Sequence, residues 1–213
     1  GPQGWWPADT AFEVMVGAIL TQNTAWSNVE RALANLKDAG MLAFRTLPTL
    51  PREQLAQRIR PAGYFNVKAE RLQAFCRFLL ENGGECALRE MDTATLRRTL
   101  LAVKGIGPET ADDMLLYAFD RPVFVIDAYT RRLFSRLGIA TGEEGYEELR
   151  HGIEQALGPH VRMFNEYHAL IVRHAKEACS ATPRCAGCCL NEICLYEPPP
   201  ARQPGRVRGK KKG

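Results

Sequence analysis

The chain has 213 residues, 46% of them hydrophobic, so it is long and apolar enough to bury a core in one domain or two small lobes. No apolar run approaches ~18 residues, which argues against a membrane span, and no signal-peptide pattern is present. Lys and Arg total 28 against 24 Asp and Glu, a formal net charge of +4, but residues 200–213 alone hold Arg202, Arg206, Arg208, Lys210, Lys211 and Lys212 with no acid. The remaining 22 basic and 24 acidic residues leave 1–199 at a formal −2, so global charge is weak ground for assigning nucleic acid binding to the folded part. A basic tail of this kind adds salt-dependent, sequence-blind attraction to phosphate, or is a solvated terminus. The chain opens on Gly1-Pro2 rather than Met, which reads as a cleavage scar.

In chain order the pattern is helix after helix. Phe12, Met15, Val16, Ile19 and Leu20 follow a helical period, as do Val29, Ala32, Leu33 and Leu36. Leu72, Phe75 and Leu79 continue it, with Asn66 as the expected N-cap. Tyr146, Leu149, Ile153 and Leu157 form another stripe, then Phe164, His168, Ile171 and Ala175. Gly40, Pro48, Pro51, Pro61-Ala62-Gly63 and Gly83-Gly84 separate the helices. Strand-like alternation is absent, and Val123–Ile126 is too short to build a sheet. The fold class expected is all-α.

Three segments carry chemistry. Thr93 to Val103 reads as a helix, and Pro108 suits the first turn of another that ends near Phe119. Between them Lys104-Gly105-Ile106-Gly107 makes a tight hairpin: the glycines permit unusual backbone angles and close approach of a phosphate, and Ile106 anchors the turn. Amides at the start of the second helix then face outward toward a phosphate oxygen. The alternative is an ordinary helical turn. Further on, Asp127 follows Val123–Ile126 and precedes a helix that stops at Gly138. It suits an N-cap, and beside a DNA-binding hairpin it also suits a carboxylate that stabilises positive charge on a sugar or activates water as a glycosidic bond breaks.

Five of the seven cysteines crowd into residues 179–194, in the pattern Cys179-x5-Cys185-x2-Cys188-x5-Cys194 with Cys189 as a spare neighbour. A secreted disulfide scaffold would spread its bridges over a shorter chain. Four thiolates so close suit an iron–sulfur cluster or a tetrahedral zinc, and spacing alone does not choose.

Together, in this order and spacing, these segments resemble the helix-hairpin-helix DNA glycosylases of the endonuclease III superfamily over almost all of residues 5–195. The resemblance extends to Phe12-Glu13-Val14 through Leu20-Thr21-Gln22-Asn23-Thr24 and to the turn Gly63-Tyr64-Phe65-Asn66-Val67-Lys68-Ala69. It implies two helical lobes flanking a DNA-binding cleft: a six-helix barrel over 1–121 with its hairpin at 103–112, and a lobe over 122–197 bearing Asp127 and a [4Fe–4S] cluster. Residues 198–213 would form a Pro-rich, basic, flexible tail. The cluster would be held by Cys179, Cys185, Cys188 and Cys194, although the first interval is five residues here and usually six in the family. The resemblance also implies an N-terminal helix ahead of the first residue.

Chemistry on a base inside a duplex requires extruding the nucleotide and filling the gap. By the resemblance, Gln22 plugs the vacated space and Tyr64 wedges into the opposite stack; a polar helix end and a partly buried loop aromatic are the alternatives. Lys104, Gly105, Ile106, Gly107 and Arg184 are expected to meet the DNA backbone. Bifunctional members carry a catalytic Lys where this chain has Glu109, so a Schiff-base route is absent and AP-lyase activity is expected to be weak or missing. Glu109 is either a base-pocket residue or a carboxylate favoured by the helix dipole, with the second preferred. Asp127 then remains to stabilise an oxocarbenium-like transition state and direct water to the sugar carbon.

Gly4-Trp5-Trp6-Pro7-Ala8 and the run from Ile19 to Trp26 resemble the 3-methyladenine glycosylase branch, although its best-known members commonly lack the cysteines. Trp6 and Trp26 are expected to sandwich a flipped alkylated purine, while Trp5 is structural. His168 and His174 are expected to be packing and surface residues. The expectation is a cytoplasmic, nucleoid-associated, monomeric base-excision glycosylase acting on double-stranded DNA with a damaged base. The alternatives are a mismatch or oxidised-base glycosylase (thymine or uracil opposite guanine) and a catalytically silent, cluster-bearing DNA-binding protein.

Overall fold

The computed structural model describes residues 2–197; the basic stretch 200–213 lies outside the described residues. Among them there are ten α-helices and no strand. The helices are α1 (Ala11–Leu20), α2 (Trp26–Asp38), α3 (Arg52–Arg58), α4 (Phe65–Glu81), α5 (Gly84–Arg89), α6 (Thr93–Leu101), α7 (Pro108–Tyr117), α8 (Ala128–Leu137), α9 (Tyr146–Leu157) and α10 (Val161–Glu177). No helix of the described residues is long and apolar enough to cross a membrane.

The apolar stripes converge on two buried clusters. The first draws on α1 through α7 and closes on Val123; the second joins Phe124, Val125 and Ile126 to α8, α9, α10 and Cys179. Helix α1 is buried from Phe12 to Leu20 because its sequence is apolar nearly all round, as a helix surrounded by others must be. Its start is fixed by Thr10, whose hydroxyl accepts from the Glu13 N–H at 3.1 Å. Helix α7 is the wall between the clusters: Ala111, Met114 and Leu115 face the first, Leu116 faces the second, and Thr110 through Leu116 are all buried. A wall of this kind carries its N-terminal end to the seam where the two cores meet.

The segment Val123–Ile126 is extended and buried but has no strand partner. The Phe124 N–H donates to Glu154 Oε1 at 2.9 Å and the Ile126 N–H to the Tyr146 hydroxyl at 3.4 Å, so side chains satisfy what a sheet would have. Helix α4 begins earlier than Asn66 suggested. Tyr64 takes the cap position in the left-handed region (φ 45°), directly after Gly63 at φ 67°, and no side chain caps the helix. The turn geometry, and not an Asx cap, sets this helix start.

Lys68 on α4 is 1% exposed, and its Nζ donates to Leu20 O at 2.8 Å and Ala62 O at 2.7 Å. It thereby ties the C-terminal end of α1 to the turn that presents Tyr64. Burial, and then the nearby Arg71 charge, lower its pKa from 10.5 to about 8. Below the folded value the ammonium is charged in both states and its desolvation opposes folding. Between about 8 and 10.5 the unfolded chain binds the extra proton, so stability rises with pH, by up to about 3 kcal/mol, and the neutral amine still has N–H donors for both carbonyls. Urea unfolding at pH 7 and pH 10 should therefore show wild type gaining on Lys68→Met as pH rises; an unchanged gap would contradict this.

Candidate active site

The hairpin joins α6 to α7 through Lys104–Gly107. Gly105 has φ +90°, and a Cβ there would lie 2.5 Å from the Arg71 side chain, so the conformation and the close approach both require glycine. Gly107 is extended (φ −94°, ψ 176°), a conformation open to any residue, and only Gly105 of the pair uses the freedom expected of both. Ile106 is buried and pins the turn. No side chain caps α7, so its first amides remain available to an anion.

Gln22 is tied into this hairpin. Its Nε2 donates to Gly105 O at 3.1 Å and Thr110 Oγ1 at 2.9 Å, and its Oε1 accepts from Arg71. Lys104 is exposed and pairs with Glu70 at 2.7 Å. Tyr64, expected as partly buried if structural, projects into solvent with 71% of its surface exposed. Arg184 donates to the Glu177 carbonyl, where it also meets the negative end of α10.

Asp127 is the N-cap of α8, its Oδ1 accepting from the Thr130 N–H at 2.7 Å, and α8 ends at Gly138 in the left-handed region. Its other oxygen, Oδ2, lies 3.4 Å from Nε2 of His168 on α10, and His168 Nδ1 is 2.5 Å from the Tyr117 hydroxyl. With Tyr117 donating to Nδ1, the Nε2–H is left facing the carboxylate. Burial alone would raise the Asp127 pKa; His168 and the Thr130 N–H outweigh it and hold the carboxyl below its ordinary value. His168 is buried and packed, as expected, and in addition faces the Asp127 carboxylate. Its place in the apolar stripe of α10 signals packing alone, and only the facing Asp127 adds the second role.

A cavity of about 700 Å³ is lined by residues from elements of both buried clusters, among them Asp127, Glu109, Trp6 and Trp26. Glu109 thus faces the site and is not merely a helix-dipole carboxylate. Desolvation in the cleft, then the Asp127 charge, raise its pKa, against His168 and Arg131. The expected Trp6–Trp26 sandwich is not formed. The two rings meet edge to face, 5.2 Å apart at 72°, and Trp6 lies 5.0 Å from Tyr117. Both rings pack against Gly17, where a Cβ would come within 3.3 Å of Trp6 and 3.5 Å of Trp26. No slot between the indoles is left for a base. Trp5, expected to be structural, also lines the cavity, with Lys176 Nζ 5.0 Å from its ring centre.

Cys179, Cys185, Cys188 and Cys194 line a second, smaller cavity beside α8, whereas Cys189 is exposed and does not. Arg136 closes one side, donating to Cys179 Sγ at 3.0 Å and Ser180 O at 2.7 Å. His174 lines the same cavity, with Nε2 3.7 Å from Cys188 Sγ. Among the described residues no three His, Cys, Asp or Glu side chains form a group that could hold a single metal ion. The four thiols nonetheless line one cavity with the Arg136 guanidinium, a donor set whose chemistry fits a polynuclear centre and whose net negative charge the guanidinium would offset.

Residues 16–159 match the family of HhH-GPD superfamily base excision DNA repair proteins. The chain belongs to this superfamily. It is 48% identical over 198 residues to a Methanocaldococcus jannaschii protein named as a candidate DNA repair glycosylase, covering 92% of this chain and 90% of the relative. The crystal structure of H. pylori 3-methyladenine DNA glycosylase bound to 1,N6-ethenoadenine superposes with a TM-score of 0.71 at 31% identity, covering 83% of this chain and 90% of that one. Endonuclease III in a non-covalent DNA complex shares the fold, with a TM-score of 0.77 at 23% identity, over 88% of this chain and 84% of that one. The chain is a DNA glycosylase of base excision repair. The reading as a catalytically silent DNA-binding protein is accordingly set aside.

Proposed function

We propose that this glycosylase is monofunctional and releases an alkylated purine such as 3-methyladenine from double-stranded DNA, with Asp127 as its catalytic carboxylate. The observation that carries the reading is Asp127 itself, held ionised by His168 and the Thr130 amide at the wall of an aromatic-lined cavity. As the glycosidic bond breaks, its electron pair leaves with the base and positive charge develops on the sugar. Asp127 stabilises that charge and orients the water that adds to the sugar carbon. An alkylated base that is cationic in DNA leaves as a neutral molecule, so little acid catalysis is required. With no slot between the indoles, the base stacks on the cavity-facing surface of Trp26, a cation resting on a π face. Likeness to the H. pylori 3-methyladenine enzyme supports this substrate class.

Glu109 occupies the position of the lysine in bifunctional members and supplies no amine, which supports loss of the lyase step. Gln22 and Tyr64 fill the duplex after extrusion. Tyr64 is already exposed for this, while Gln22 must exchange its hairpin hydrogen bonds for the DNA. Lys104, the Gly105–Gly107 amides and Arg184 take the backbone contacts, and the lobes divide near residue 121. Cys179, Cys185, Cys188 and Cys194 hold a [4Fe–4S] cluster. A cluster bound by these four thiolates would cross-link residues 179–194 to one another beside α8.

The substrate is tested by incubating the protein with duplexes bearing methylated purines, thymine or uracil mismatches, and oxidised pyrimidines, and identifying the released bases by mass spectrometry. Release of 3-methyladenine is expected. Release of a mismatched or oxidised pyrimidine in its place would contradict the alkylpurine reading while keeping Asp127.

A further inference from the structure

Asp113 lies one turn beyond Glu109 on α7 and lines the same cavity, deeper than Glu109. It is 5% exposed, yet among the described residues no group hydrogen-bonds its carboxyl. Arg97 and Arg150 serve other carboxylates: Arg97 Nε sits 2.6 Å from Asp112 Oδ1, and Arg150 pairs with Glu147 and Glu154. Tyr117 is committed to His168. A buried carboxyl without a partner opposes folding, and such groups persist where a ligand completes them.

We propose that Asp113 is a specificity-determining residue that hydrogen-bonds the edge of the extruded base and selects adenine-type over guanine-type alkylated purines. The proposal rests on the alkylpurine reading above. Burial, then the carboxyls of Glu109, Asp127 and Asp112, push the Asp113 pKa well above its ordinary value and favour the protonated acid. A carboxylic acid presents one O–H donor beside one carbonyl acceptor. Adenine offers the complement, an amino donor beside a ring-nitrogen acceptor, so the pair is bidentate. On the edge that carries adenine N6 and N7, guanine has O6 in place of the amino donor, and in 7-methylguanine the methyl group occupies N7, so only a single hydrogen bond from the Asp113 hydroxyl to O6 can form.

The test uses methylated duplex DNA containing both 3-methyladenine and 7-methylguanine, with release of each base timed for wild type, Asp113→Asn and Asp113→Ala. Wild type releases 3-methyladenine in preference to 7-methylguanine. Asp113→Asn, whose amide keeps a donor beside an acceptor, retains the preference. Asp113→Ala loses it, through a fall of about tenfold or more in 3-methyladenine release with 7-methylguanine unaffected. An unchanged ratio in Asp113→Ala, or an equal fall for both bases, overturns the assignment of Asp113 and leaves the alkylpurine reading standing; so does loss of the preference in Asp113→Asn. Release of neither methylated purine by wild type overturns the alkylpurine reading and this assignment with it.

Discussion

Replacing Asp127 by Asn lowers single-turnover base release by about 10²–10⁴-fold while the protein keeps its fold and its affinity for lesion-bearing duplex. Asn is as good an N-cap as Asp, so the bond to the Thr130 N–H survives and α8 keeps its start. The substitution removes only the negative charge that the His168 pair maintains. The variant therefore separates the capping role, which both residues perform, from the charge-stabilising role, which only the carboxylate performs. A variant within fivefold of wild type would mean that another carboxylate of the cavity carries the chemistry, with Glu109 the first to examine. His168→Ala should show a smaller loss, because Thr130 alone then opposes the effect of burial on Asp127.

The second large effect lies at the cysteines. Cys188→Ala should abolish the iron content of the purified protein, about four per chain in wild type, whereas Cys189→Ala should retain it. The two are sequence neighbours, but only Cys188 faces the cavity shared with Cys179, Cys185 and Cys194. The surrounding segment has little else to hold it: the short 3₁₀ turn Asn191–Ile193, the Arg136 contacts, and the Leu195 N–H to Arg136 O bond at 2.9 Å. Loss of the centre should therefore expose residues 179–194 to proteolysis. Iron retained in Cys188→Ala, or lost equally in Cys189→Ala, would contradict the ligand set. Zinc in place of iron would keep the ligands and correct the cofactor.

Local chemistry made much of this structure legible in the sequence. Helix periodicity gave the all-helical class, Pro108 and the glycines marked the hairpin, and Asp127 and Gly138 bracket α8 because capping depends on residues only a few positions away. Contacts distant along the chain were not legible. The His168–Asp127 pair joins residues 41 positions apart on two helices, and a His in an apolar stripe reads as packing until the facing residue is known. Asp113 falls among apolar positions of α7 and is exceptional only because a cavity meets that face. The tryptophans show a different limit. Their presence at the cavity was foreseeable from the resemblance, but their edge-to-face arrangement and the close approach of both rings to Gly17 are contacts that no spacing rule conveys. Tyr64 likewise owes its exposure to the left-handed turn at Gly63-Tyr64.

The most direct measurement of the central claim is a single-turnover reaction on end-labelled methylated duplex, with aliquots split three ways: free-base analysis, strand analysis with and without alkali, and borohydride quenching. Water directed by Asp127 leaves an intact abasic strand. Free 3-methyladenine should therefore accumulate, breaks should appear only after alkali, and borohydride should trap no protein–DNA adduct. Breaks without alkali, or a trapped covalent adduct, would show that an amine of the protein attacks the sugar, and would contradict a monofunctional reaction centred on Asp127.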